Sequence, residues 1–190
     1  MGSAEVMGID RSEMGIQCAR ERYDRSNLKF ICQEETGTLQ ANSFYLVTCF
    51  EVLEHVEDWH AMTRELARLS SHYVLVSFPT GRMRRFERNV GHLRNFRRGQ
   101  FERYARAIGL EPVAVHYAGF PFYSPLFREL CNVFNSGGNS LTVGRYSWLQ
   151  KRMSNVLYVL FRYLSMKSHG DQFCDMFLKR APIDSLSARP

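Results

Sequence analysis

The chain has 190 residues, a formal net charge of +6, 45% hydrophobic residues and 23% charged residues. That length supplies one domain's core, and the balance excludes disordered, collagen-like and disulfide-scaffold chains. The longest apolar run, "VLYVLF", is far below the roughly 20 residues that span a bilayer.

Cys18, Cys32, Cys49, Cys131 and Cys174 form no CxxC pair. Unpatterned cysteines read as reduced thiols packed as small hydrophobes, which points to a cytoplasmic protein. The start, "MGSAEVMGID", has neither the basic segment nor the apolar stretch of a signal peptide. No metal centre is assigned. The basic charge favours anionic partners without naming one.

Val6–Ile9 reads as a short buried strand, followed by a helix that Ser12 caps and that Ile16, Ala19 and Tyr23 stripe. "LKFIC", 28–32, is the next strand. "SFYLVTCF", 43–50, is nearly all apolar and is expected to be buried on both faces. Asp58 caps an amphipathic helix carrying Trp59, Met62, Leu66 and Leu69. "YVLVSF", 73–78, is a strand that Pro79 stops.

An Arg-rich loop follows, with Arg82, Arg84, Arg85, Arg88, Arg94, Arg97 and Arg98. Phe101, Tyr104, Ala105 and Ile108 then stripe a helix that ends at Gly109, and "EPVAVHYA" is a strand. Residues 119–150 look irregular, Met153 to Leu164 carry a helical stripe, and "DQFCDMFLKR", 171–180, is a last strand. Residues 181–190 read as a frayed tail. Strands alternating with helices predict a mostly parallel α/β sheet covered on both faces, with ligands along the carboxyl edge. Asp10, Glu34 and "FEVLEH" fall on that edge.

"Apolar strand, VLEHV, Asp, amphipathic helix" at 50–59 resembles the fourth strand and following loop of class I S-adenosylmethionine-dependent methyltransferases. "EVMGIDRSEM" resembles their second strand, "LKFICQEE" the third, "YVLVSFP" the fifth and "GDQFCDMFLKRAP" the closing strand. The resemblance implies a Rossmann-like methyltransferase sheet that uses S-adenosylmethionine. It assigns Asp10, with Arg11 beside it, to the cofactor's ribose hydroxyls and Glu34 with Glu35 to the adenine side. Phe50 and Glu51 fall where the chain passes the cofactor. His55 and His92 are proton-handling or acceptor-side candidates.

The family's D-x-G-x-G loop does not occur in these residues, and Tyr45 stands where an acid is common. The expectation is therefore a sheet lacking its first strand, truncated at the N-terminus, within a single domain over 1–180. Residues 119–169 form an insertion or lid. The acceptor is a small molecule, lipid or saccharide, anionic and lipid-linked ones included; DNA and a transmembrane segment are not expected. A partner chain or oligomer that completes the sheet is a further expectation. Two other classes stay open: a non-catalytic binding or partner subunit, and an RNA-binding or RNA-modifying protein that uses the Arg run.

Overall fold

The computed structural model describes residues 5–134 and 148–180. The predicted tail at 181–190 and part of the predicted insertion, 135–147, lie outside the described residues. The chain divides into two compact units, Met1–Ser43 and Phe44–Pro190.

The first unit is one βαβ crossover. Strand β1 (Val6–Asp10) and strand β2 (Leu28–Cys32) pair in parallel, from Val6 opposite Leu28 to Asp10 opposite Cys32. Between them, helix α1 (Glu13–Arg22) starts where the Ser12 hydroxyl accepts the Gly15 amide at 3.1 Å. Glu13 in its first turn and Arg20 and Arg22 in its last complement the helix dipole. Gly8 lets the backbone pass close to Phe30, since a Cβ there would stand 2.6 Å from the ring unless the ring moved. A short 3-10 helix (Gln33–Thr38) follows β2.

The second unit holds a four-stranded sheet in the order β3-β4-β6-β5. Its strands are β3 (Phe44–Phe50), β4 (Ser70–Pro79), β5 (Leu110–Ala118) and β6 (Gln172–Lys179). β3 and β4 are parallel, while β6 runs antiparallel to both β4 and β5. The sheet is therefore mixed, and the mostly parallel expectation holds in part: β3, β4 and β5 run one way and β6 alone runs against them. The last strand enters between two earlier ones and runs against them. The carboxyl ends of β3, β4 and β5 consequently share one edge with the start of β6.

Helix α2 (Trp59–Leu69) begins where Asp58 accepts the Ala61 amide at 2.9 Å. Helix α4 (Gln100–Ala107) buries Phe101 and Ala105, with Gly109 at φ 84° just past its end. A short helix, α3 (Arg85–Asn89), lies between β4 and α4. Val74, Val76, Phe78, Phe101, Phe173 and Phe177 anchor the core, and Phe78 stacks on Phe173 at 4.5 Å between ring centres. Each fully buried side chain of this size contributes about 1.5–3 kcal/mol.

Two expectations change. β3 is an edge strand, with β4 as its one neighbour in the sheet. Tyr45 is 63% exposed, Leu46 44% and Phe50 49%, so β3 is not buried on both faces. Within the predicted irregular stretch, helix α5 (Arg128–Phe134) forms where Arg128 is fixed by tertiary hydrogen bonds. Helix α6 (Trp148–Val159), continued by a π-helical turn over Leu160–Leu164, carries the predicted stripe, of which Met153, Val156 and Leu164 are exposed. Among the described residues, no helix is long and apolar enough to cross a membrane.

Candidate functional site

In the first unit, Asp10 closes β1 and is exposed. One of its carboxylate oxygens accepts the Ser12 amide at 2.8 Å, which fixes the side chain at the start of α1. Its second oxygen is available for an external donor. Arg11 is exposed beside it. At the parallel position after β2, Glu34 and Glu35 are both exposed, but they are not equivalent. Glu35 turns back to accept the Cys32 amide at 2.9 Å and caps the 3-10 helix. Glu34 is the acid of the pair that keeps its carboxylate clear of that cap.

In the second unit the carboxyl edge is built around a strained residue. Glu51 follows β3 with φ 54°, a left-handed conformation that costs a non-glycine residue about 1–3 kcal/mol. The surroundings hold it there. Its amide donates to the Ser77 carbonyl at 2.9 Å, and its carboxylate accepts from the Ser77 hydroxyl and the Gln172 amide, both at 2.7 Å. Phe50 stands exposed beside it.

The "LEH" residues form a single 3-10 turn, Leu53–His55. Leu53 and Glu54 are fully buried, so the turn is pinned by its own side chains. Arg94 pins it from the other side. Its guanidinium donates to the carbonyls of Leu53 at 3.3 Å, Glu57 at 3.0 Å and Val56. The Leu93 amide adds a bond to the Glu54 carbonyl at 2.9 Å. These contacts bring together His55 and His92, far apart in the chain, with ring centres 4.6 Å apart in an edge-to-face arrangement. His55 Nδ1 lies 3.1 Å from the Gly91 carbonyl. Burial, and then the neighbouring His55, hold His92 below the usual histidine range. Burial pushes the Glu54 carboxyl up to about 7, with Glu51 and Glu87 adding to the rise against a downward pull from its own backbone amide.

The Arg-rich stretch is divided between arginines held by protein partners and arginines exposed to solvent. Arg84 is buried and pairs with Glu129 at 2.8 Å, as does Arg82. Arg98 donates to the Gly170 carbonyl at 2.5 Å and lies over the Tyr117 ring. Arg82, Arg85, Arg88, Arg97 and Arg98 are exposed, and of these Arg82 and Arg98 have protein partners. Beside Arg98 opens a cavity of about 370 Å³, lined by Phe120, Ser124, Met166 and Asp171 among others. Most of that lining comes from the predicted lid region.

Sequence reasoning named Asp10, Arg11, Glu34, Glu35, Phe50, Glu51, His55 and His92, and the structure joins His55 with His92. It gave no role to Glu54, although that residue sits in the quoted motif. The signal was the apolar setting "VLEHV", which buries the acid. Nothing in the sequence marks Arg128 or Asp175, both buried.

Residues 1–72 match the family described as "Methyltransferase domain". Over 84 residues the chain is 34% identical to the ubiquinone biosynthesis O-methyltransferase of Neisseria meningitidis, a match covering 42% of this chain and 35% of that protein. Over 70 residues it is 39% identical to the protein of the same name from Bordetella avium, covering 35% of this chain and 29% of that protein. The matches thus span about a third of the length of these curated relatives. Among solved structures, the methyltransferase in complex with the Trm112 activator from Haloferax volcanii has TM-score 0.61 at 14% identity, over 95% of this chain and 74% of that one. A Mesorhizobium loti S-adenosylmethionine-dependent methyltransferase has TM-score 0.57 at 14% identity, over 94% and 82%.

Proposed function

Because residues 1–72 match the methyltransferase-domain family and the chain has the fold of S-adenosylmethionine-dependent methyltransferases, we propose that this protein serves methyl transfer to a small-molecule acceptor. The relatives' names support an acceptor oxygen. The observation that carries the reading is Asp10, an exposed carboxylate at the carboxyl end of a parallel strand with one oxygen fixed and the other open.

When bound, the cofactor supplies an electrophilic methyl on a sulfonium that leaves as a neutral sulfide. The protein's work is then binding and alignment. In the first unit, Asp10 accepts from the vicinal ribose hydroxyls, with Arg11 beside it, and Glu34 receives the adenine amino group. Glu35 contributes by holding the turn. In the second unit, Phe50 offers an exposed ring and Glu51 a fixed carboxylate at the edge. His92, kept neutral by burial, and His55 beside it stand on the acceptor side of this reading. The cavity beside Arg98 suits the acceptor's apolar part. A partner that completes the edge at β3 is compatible with this reading, since Tyr45 and Leu46 stand exposed there.

Calorimetric titration of the folded chain with S-adenosylhomocysteine tests the proposal. Asp10→Ala removes two charge-assisted hydrogen bonds and should weaken binding by about 100-fold or more. A folded chain that binds no S-adenosylhomocysteine overturns the reading and leaves the partner-subunit alternative.

A further inference from the structure

We propose that Glu54, His55 and His92 hold one divalent transition-metal ion. Their ligand-capable atoms, one from each residue, lie within 4.8 Å of one another. Ligands about 2.0–2.2 Å from a shared zinc-like ion sit roughly 3–4 Å apart, so only a small closure is needed. No ion is present, and the case rests on what each side chain lacks.

Glu54 is fully buried, yet neither carboxylate oxygen has a hydrogen-bond partner among the described residues. An isolated buried carboxylate is costly, and native structures compensate such groups with a cation or a proton. Arg94, the cation that crosses this turn, directs its hydrogen bonds to the backbone carbonyls instead. At the same place the buried Nδ1 of His92 makes no well-formed hydrogen bond, although the Asn95 side chain lies beside it.

His55 shows the complementary feature. With Nδ1–H donating to the Gly91 carbonyl, Nε2 is left as a free lone pair. A backbone carbonyl that fixes the tautomer of a histidine in this way is the usual support behind a metal ligand. The three residues also sit on a rigid frame. Leu53 and Glu54 are buried, Arg94 and the Leu93 amide tie the turn, and the His92 amide donates to the Glu87 carbonyl at 3.0 Å.

One carboxylate with two imidazoles is a borderline donor set. It suits zinc, manganese, iron(II) or cobalt, rather than calcium or magnesium, which prefer all-oxygen shells. Three protein ligands leave an open position, and partly exposed His55 places it towards solvent. An acceptor hydroxyl bound there would ionise more readily. That use rests on the methyl-transfer reading, whereas ion binding does not.

The test uses the tag-free full chain, stripped with chelator, titrated with cobalt(II) by visible absorption and with zinc(II) by calorimetry. The expected result is saturation at one ion per chain, with visible bands of a nitrogen-ligated cobalt site. Glu54→Gln and His92→Asn should each weaken binding by about 100-fold, more than the loss of a supporting group does. Asp175→Asn, at a buried carboxylate elsewhere on β6, should leave it unchanged. His55→Gln serves in place of either variant that fails to fold, as judged by circular dichroism. The proposal is overturned if the folded protein shows no saturable binding up to about 1 mM ion, or if binding survives the ligand substitutions. S-adenosylhomocysteine binding, measured separately, reports on the methyl-transfer reading alone.

Discussion

Replacing Arg128 with methionine is expected to lower stability by about 3–5 kcal/mol. The guanidinium is 1% exposed and serves four neighbours, Glu87, Thr80, Arg82 and Asp171. It donates to Glu87 from Nε at 2.8 Å and again from its terminal nitrogen, to the Thr80 carbonyl at 3.0 Å, and it pairs with Asp171 at 3.4 Å. Glu87 is itself 2% exposed, and its remaining contacts are the Arg84 amide at 2.6 Å and the Asn95 side chain at 3.0 Å. Without Arg128 its charge stays buried with dipoles alone for company. The urea midpoint reads the loss. Adding Glu87→Gln should recover part of it, because the uncompensated charge is then gone. Arg128→Lys should rescue little, since an ammonium cannot reproduce the fork that spans Glu87 and Thr80. A single-variant loss below about 1 kcal/mol would contradict the assignment of this pair as the tie between α3 and α5.

The second large effect concerns pH. Asp175 lies in β6 between Val76 and Val115, is 1% exposed, and has no hydrogen-bond partner for either oxygen among the described residues. Burial pushes its carboxyl up to about 7, against a weaker downward pull from the nearby Ala114 and Met176 amides. In the unfolded chain the same group ionises near 3.9. Between about pH 4 and 7 the folded state therefore holds a proton that the unfolded state has lost. Stability contributed by the neutral acid is full below that window and falls as pH rises through it.

About three pH units at about 1.4 kcal/mol each set a ceiling near 4 kcal/mol. Asp175→Asn should remove this slope, so it should gain stability over the parent at pH 8 more than at pH 5. Denaturation midpoints of both proteins at the two values read this directly. Glu54 is raised in the same direction and adds its own slope to both, so the difference between the proteins is the diagnostic quantity. Parallel curves for parent and variant would show that Asp175 ionises normally in the folded state.

Much of the fold was legible because its determinants are local. Ser12, Asp58 and Gly109 act where their positions in the chain predict, and the stripes of α2 and α4 face the core. The order of strands is not local. The missing first strand implied an open margin at β3, but nothing in its apolar run shows that its faces are exposed as well. The antiparallel entry of β6 is equally invisible in its own residues. At the site, acids at strand ends were readable from strand boundaries alone. The pairing of His55 with His92 was not, because it depends on the loop that Arg94 folds back over the turn. Arginines give the sharpest contrast. A run that reads as a solvated basic loop supplies buried Arg84 and the clamp of Arg94, because burial of a charge is decided by distant partners such as Glu129.

Glu51 has a bearing on how this protein responds to selection. Its left-handed backbone is the natural domain of glycine, and Glu51→Gly would relieve about 1–3 kcal/mol of strain while deleting the carboxylate that Ser77 and Gln172 hold. Screening variants for heat resistance alone should therefore enrich glycine at this position, and a paired screen for ligand binding should reject it. Opposite preferences at one codon would mark Glu51 as a place where the fold gives up robustness to keep a group in position.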